Sequence, residues 1–269
     1  TAGDDIIYGV SMSTMSDKIA VAGLTNGAFS STFDYKDLTP VGQVGDDNYN
    51  IFVGIYEPAT NNTESTLRWG SVISDDTTNG GDTLILVCFG PNDMVAVGGY
   101  VSGPVSTLTD DDYKDGEDAF VAVFNATGGL MWAHSFGSTV DGGSGPRDDF
   151  VYAVVFDEEG NLYAAGSTEG ELLLPPPYSQ TKSNPNAVGD CFIVKYNSSG
   201  VLQWGVQFGT DLDDEVYGID YRFDESSNQG VIAVTGTTQG KLYETNAGDY
   251  DLFVALFSAY DGTELVGKG

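Results

Sequence analysis

Short runs of alternating apolar and polar residues follow one another along the chain, and clusters of Gly, Asn and Asp separate them. The runs are about four to seven residues long, as at 118–124 and 150–154. Alternation with a period of two is typical of strands, and no stretch has the period of 3.6 that an amphipathic helix requires. The pattern therefore predicts an all-β fold of short strands joined by tight turns.

The runs recur as copies of one long repeat with a period of roughly 60 to 75 residues. Each copy contains four predicted strands, which in the second copy lie at 118–124, 130–132, 150–154 and 162–166. Three copies are found, at 46–105, 116–172 and 188–242. Four-stranded sheets repeated around an axis are the blades of a β-propeller, so each copy is interpreted as one blade.

The two ends of the chain match the two halves of a further copy. Residues 1–30 resemble the last two strands of a copy, and residues 249–269 resemble the first two. Joined, they predict a single domain, 1–269, in the form of a four-bladed β-propeller whose last blade is completed by N- and C-terminal strands. An open arrangement of the four sheets is the alternative. The residues predicted at this seam are Asp5, Ile7, Tyr8, Phe253, Val254 and Leu265.

All three tryptophans occupy the same strand position in successive copies. They are Trp69, Trp132 and Trp204, and Val266 stands at the matching position of the divided copy. One Trp per copy indicates packing between blades, whereas a set of rings that stack on carbohydrate is the alternative.

The repeat resembles a known family. The pattern Asp-x-Phe-Val-x-x-(Tyr/Phe)-x-x-x-Gly-x-Leu-x-Trp, followed by Phe-Gly and Gly-Asn-Leu-Tyr, is similar to the SBBP-type β-propeller repeat, most clearly over 116–257. The resemblance implies a propeller of the kind found in secreted or surface proteins, with no catalytic residues common to the family. Copy one departs from it through a longer first turn, 57–66, and the loss of Gly-Asn-Leu-Tyr.

The chain is strongly acidic, with 40 acidic and 10 basic residues and a net charge of -30. This charge argues against nucleic acid and anionic membranes as partners, because both require Lys and Arg. No stretch approaches the roughly 20 apolar residues of a membrane helix, so no membrane insertion is expected. The acidic loops are interpreted as a solvated surface, and no cofactor is predicted. Ca²⁺ binding is the alternative, with Asp111, Asp115, Asp213 and Asp214 as weak candidate ligands.

Little in the sequence points to catalysis. His134 is the only histidine, and it falls in a predicted strand. With two cysteines, Cys88 and Cys191, there are too few His and Cys ligands for a zinc site. The acids follow the repeat rather than standing out as a catalytic pair. We therefore predict that the protein is not an enzyme and that both thiols are free.

Three N-glycosylation sequons begin at Asn61, Asn125 and Asn197. All three fall in the same turn of successive copies, where a glycan could be accepted. Asn and Ser are also ordinary turn residues, so the two interpretations stay open. Glycosylation would place the protein outside the cell.

These observations favour a non-enzymatic structural protein that self-assembles into, or forms part of, an extracellular fibril, surface layer or protein shell. The alternative is a secreted module that binds glycans or proteins, with Ca²⁺ ordering its loops. The expected location is extracellular or at the cell surface, and a plastid shell inside an organelle is the alternative.

Overall fold

The computed structural model describes residues 5–25, 38–41, 50–59, 66–73, 83–105, 111–112, 116–139, 147–172, 178–182 and 189–268. Strands dominate these ranges, and their one helix is the single 3-10 turn Pro91–Asp93. The all-β prediction is confirmed.

The strands form four main sheets, named I to IV in chain order. Sheet I consists of β1 (Asp5–Met12), β2 (Ile19–Thr25), β3 (Leu38–Val41), β4 (Asn50–Glu57) and β5 (Thr66–Ile73). Sheet II consists of β6 (Thr83–Phe89), β7 (Val95–Val101), β8 (Asp111–Asp112), β9 (Asp118–Phe124) and β10 (Leu130–Phe136). A two-stranded ribbon pairs β11 (Ser138–Thr139) with β14 (Glu171–Leu172).

The third and fourth sheets continue the series. Sheet III consists of β12 (Asp149–Phe156), β13 (Leu162–Thr168), β15 (Tyr178–Lys182), β16 (Asp190–Tyr196) and β17 (Leu202–Phe208). Sheet IV consists of β18 (Asp214–Asp224), β19 (Gln229–Thr238), β20 (Asp251–Ser258) and β21 (Glu264–Lys268).

Each main sheet has four antiparallel strands, as the sequence predicts. In sheets I to III a short fifth strand from the linker, β3, β8 or β15, adds in parallel to the outer edge. The sequence analysis did not foresee these three edge strands, because they lie outside the repeat.

The assignment of strands to the last blade differs from the prediction. Strand β2 pairs with β4, and β20 pairs with β19, so each terminal pair belongs to a sheet with its own chain neighbours. The strands of residues 1–30 and 249–269 therefore lie in sheets I and IV and do not complete one blade together. Each predicted repeat instead gives two strands to one sheet and two to the next. The reason is that strands hydrogen-bond across the long linkers between copies, as β7 does with β9.

The core consists of three apolar layers, one between each pair of successive sheets. The layer between sheets I and II includes Ile51, Trp69 and Phe120. The layers between II and III and between III and IV include Phe192 and Phe253, respectively. In each layer the first strand of a sheet packs against the middle strands of the preceding sheet. The first strands also follow one another, because β1 contacts β6, β6 contacts β12, and β12 contacts β18. This is a propeller-like order of sheets.

The tryptophans connect successive sheets. Each indole Nε1 donates a hydrogen bond of 3.1 to 3.2 Å to a carbonyl in the next sheet, in the turn that joins the last two antiparallel strands of that sheet: Trp69 to Ala126, Trp132 to Ser198 and Trp204 to Ala259. The ring lies against a glycine of the same turn, namely Gly128, Gly200 or Gly262, at φ of +86°, +80° and +74°. We call this arrangement the tryptophan lock. Packing between sheets is therefore the structural role of the three tryptophans.

We predict that Gly200→Ala lowers the free energy of unfolding by about 1–2 kcal/mol, because alanine is strained at this positive φ. A Cβ there would also lie 2.7 Å from the Trp132 ring, which adds to the loss. Gly248→Ala is the matched control, since a Cβ at Gly248 meets nothing within 4 Å. Urea unfolding measures both. Equal midpoints for the two variants would contradict the prediction.

Candidate functional site

The first strand of sheet I exposes apolar side chains that are buried at the matching positions of the first strand of sheet III. All four first strands carry a bulge at the same place in their pairing, which fixes the correspondence. By this register, Ile7, Val10 and Met12 of β1 match Val151, Val154 and Phe156 of β12.

The exposed fractions differ sharply. Those of Ile7, Val10 and Met12 are 64%, 67% and 69%, whereas those of Val151, Val154 and Phe156 are 0%, 7% and 8%. The buried set is covered by sheet II, whereas no strand in the described part of the chain packs across Ile7, Val10 and Met12 in the same way. We call Ile7, Val10 and Met12 the leading edge.

Sheet IV has the complementary exposed surface at the other end. Leu252 and Val254 are 78% and 50% exposed, and Thr235 beside Val254 is also exposed. Half-buried Ala233 and Leu256 continue the same side of the sheet. We call these five residues the trailing face.

The matching side of sheet II is covered. Leu252 and Val254 correspond to Ala119 and Val121 of β9, both of which are fully buried in the layer with sheet III. The trailing face is therefore the side of sheet IV that corresponds to the side of sheet II packed against sheet III. Among the described strands, none of sheet I packs against sheet IV as successive sheets pack.

The predicted seam residues divide between these two ends. Ile7 and Tyr8 are exposed on β1, and Val254 and Leu265 are exposed on sheet IV. Phe253 is buried against sheet III, because alternation along β20 points it to the opposite side from Val254. Asp5 lies in β1, and its side chain is outside the described part.

Buried aspartates begin several strands, and of these only Asp214 is among the candidate site residues predicted from the sequence. Asp118 and Asp149 are buried near Gly137 and Ser138, and Asp190 and Asp214 occupy the matching places in the next copy. Their signal in the sequence is an Asp at the same two places in the second and third copies, whereas copy one has Asn50 at the first of these places.

The two copies use the same hydrogen bonds. The backbone N–H and hydroxyl of Ser138 donate to Asp149, and those of Thr210 donate to Asp214. Burial raises the pKa of Asp149 to about 7, which outweighs the lowering effect of hydrogen bonds from Thr168 and Ser138. Burial likewise raises the pKa of Asp214.

The described residues contain no group of three or more His, Cys, Asp or Glu side chains placed to hold a metal ion. Of the weak calcium candidates, Asp214 is buried and bonded to Thr210, and Asp213 accepts a bond from the Tyr250 hydroxyl at 3.5 Å. Asp111 lies in β8, where its side chain is outside the described part, and Asp115 lies outside the described residues.

Two cavities lie at the ends of the first strands. One, of about 610 Å³, is lined by residues from all four sheets, including Met12, Phe89, Phe156 and Tyr221. The other is a cleft of about 550 Å³ between sheets III and IV. Its walls carry the carboxyl groups of Asp157, Glu158, Glu159 and Asp261 and the rings of Tyr163, Tyr221, Phe223 and Tyr260. Lys195 is held inside it by a 2.9 Å bond to the Ala259 carbonyl.

Two of the predicted glycosylation residues lie in tight turns. The Asn125 Oδ1 accepts bonds from the N–H groups of Thr127 and Gly129. The Asn197 Oδ1 accepts corresponding bonds from Ser199 and Val201. Both amides therefore stabilise their turns through oxygen, while a glycan would attach to nitrogen. Asn61 lies outside the described residues.

His134 has a packing role. Its ring stacks on Tyr196 with 4.9 Å between centroids, and its Nε2 lies 2.7 Å from the Gly200 carbonyl. Cys88 and Cys191 are both free thiols, and burial raises the pKa of Cys191.

In the described part of the chain, no helix has the length and apolar character needed to span a membrane.

Among solved structures, Bacillus subtilis levansucrase aligns with 97% of this chain and 69% of its own, at 9% identity and a TM-score of 0.43. A mutant of the same enzyme aligns with 94% of this chain and 68% of its own, at 9% identity and a TM-score of 0.41. No family model and no curated protein matches the chain.

We predict that Asp149 makes stability fall as pH rises from about 4 to about 7. In this window the folded state holds a proton that the unfolded state has released, so the free energy of unfolding decreases by up to about 1.4 kcal/mol per pH unit. Asp149→Asn keeps the acceptor oxygen and should flatten this part of the curve. Urea unfolding at several pH values measures it.

Asp220→Asn, which removes a charge at an exposed position, is the control and should keep the wild-type slope. A slope for Asp149→Asn that equals the wild-type slope would contradict the prediction.

Proposed function

We propose that this protein is a non-enzymatic structural subunit that self-assembles, as a building block of an extracellular fibril, surface layer or protein shell. The observation that carries the proposal is the exposure of apolar side chains on the two end sheets, at positions where the described side chains are buried or half-buried between the other sheets. Surfaces of this kind mark interaction sites in soluble proteins.

The charge of the chain makes this exposure more informative. With a net charge of -30, a monomer has ample polar surface for solubility, and yet exposed apolar side chains lie side by side on the leading edge and the trailing face, with the charged Asp220 at the margin of the trailing face, beside Ala233. Depletion of charge at the centre is typical of protein interfaces.

The non-enzymatic part of the proposal is supported by the roles of the reactive side chains. His134 packs between Tyr196 and Gly200, and Asp149 and Asp214 recur as structural acceptors of the repeat. An extracellular location is supported by the sequons at Asn125 and Asn197, which lie in turns, and by the resemblance to repeats of secreted proteins.

We predict that the wild-type chain associates in a concentration-dependent way. Sedimentation velocity should detect species heavier than the 28.4 kDa monomer, and their fraction should increase between about 0.1 and 1 M NaCl. Salt shortens the Debye length from about 10 to 3 Å and weakens the repulsion between acidic chains. A monodisperse monomer at high concentration and high salt would contradict the proposal.

Glycan binding is a second candidate function, favoured by the cleft between sheets III and IV. Its rings offer stacking surfaces for sugars, and its carboxylates can accept bonds from hydroxyl groups. Among the rings that line the cleft, that of Tyr260 is almost fully exposed, so most of its surface is free to contact a ligand.

For that function we predict that an oligosaccharide identified on a glycan array binds at least about 10-fold more weakly to Tyr260→Ala, which loses one stacking ring. Isothermal titration calorimetry measures the difference. Tyr250→Ala, a half-exposed tyrosine away from the cleft, is the control and should bind like the wild type. An array without hits would remove this candidate.

A further inference from the structure

We propose that the contact between copies is head-to-tail, with the leading edge of one molecule packed on the trailing face of a second copy. This inference rests on the proposed self-assembly and specifies its geometry. It commits to a second copy of this chain as the occupant of both exposed surfaces.

The internal contacts supply the template. Strand β6 packs on β2 and β4, β12 packs on β7 and β9, and β18 packs on β13 and β16. The same contact, in which a first strand lies across two middle strands, is thus formed three times within the chain. One more contact in the series would place β1 on β19 and β20.

The leading edge has the same kind of side chains as the first strands that pack on a preceding sheet within the chain. Its match in β12 uses two valines and a phenylalanine, and its match in β18 uses Val216, Ile219 and Tyr221. Ile7, Val10 and Met12 are side chains of the same kind and comparable size. They have the correct spacing because the bulge in β1 falls at the same register position.

The trailing face has the chemistry of the receiving half. In sheet II the seat is Gly98, whose hypothetical Cβ would lie 2.7 Å from Val151 and 3.0 Å from Val154. The matching residue is Ala165 in sheet III and Thr235 in sheet IV, both short side chains. Around Thr235, Leu252, Val254 and Leu256 provide the apolar walls.

The two surfaces fit each other and neither fits itself. The leading edge is a ridge of three larger side chains on a first strand, and the trailing face is a shallow seat on two middle strands. A two-fold contact would place ridge against ridge or seat against seat. The contact is therefore heterologous, and repeated from copy to copy it gives an open array unless its rotation closes a ring.

One element of the internal contacts is missing here. Sheet IV carries Val266 in place of tryptophan, so the tryptophan lock cannot form between copies. The contact between copies is consequently weaker than the contacts within a chain, as expected of an assembly that dissociates on dilution.

Two variants test the geometry, each with a charge on one surface. Val10→Glu blocks the leading edge, and Val254→Glu blocks the trailing face. Both positions are at least half exposed, so folding is expected to be retained and can be checked by urea unfolding. Val201→Glu, at an exposed turn valine, is the matched control.

We expect each blocked variant alone to be monomeric, with self-association at least about 100-fold weaker, because the contact would bury an unpaired charge. Mixed together, the two should form a one-to-one heterodimer and nothing longer, since one intact edge and one intact face remain. Val201→Glu should assemble like the wild type. Sedimentation with one variant fluorescently labelled measures the stoichiometry.

Three results would overturn the head-to-tail contact while leaving self-assembly in place. They are dimers formed by either blocked variant alone, a mixture that stays monomeric under conditions where the wild type assembles, and blocked variants that still form long assemblies. A wild type that is monomeric throughout would instead overturn the proposed function and this inference together.

Discussion

The contact between successive sheets is the constraint on which the rest of the structure depends. Each contact combines an apolar layer with one indole-to-carbonyl hydrogen bond, and the turn that accepts the bond needs a glycine at positive φ so that the ring can lie against it. Trp132 and Gly200 are therefore one unit, although 68 residues separate them in the sequence. This coupling explains why each of the first three sheets carries the tryptophan and each following turn carries the glycine.

The same constraint accounts for the properties of the two ends. A sheet in the middle of the series buries both sides, so β9 is apolar at nearly every position. Sheets I and IV have apolar side chains on both sides as well, but in the described part of the chain each packs against one other sheet. Val10 and Val254 are therefore exposed to water. The proposed contact between copies is thus of the same kind as the contact between successive sheets within the chain.

The sequence predicts the number of sheets, the strands of each copy and the packing role of the tryptophans, because these depend on local alternation and on the period. It does not predict how the strands are grouped. In a periodic sequence any of the four strands can be taken as the first strand of a copy, so the period alone does not fix which strands share a sheet. The pairing of β2 with β4, for example, forms across a linker between copies. The sequence also cannot separate buried Phe253 from exposed Val254, since that difference depends on which neighbour is present. The burial of Asp149 has the same origin.

The division of the core into three separate layers bears on how such a chain can change over generations. Among the described residues, the buried apolar side chains form three clusters, one at each contact between successive sheets, so each sheet is stabilised mainly by its nearest neighbours. A gene duplication or deletion that adds or removes one whole period would leave every surviving layer intact. The number of sheets, and with it the length of the chain, can therefore change during evolution without the formation of a new hydrophobic core.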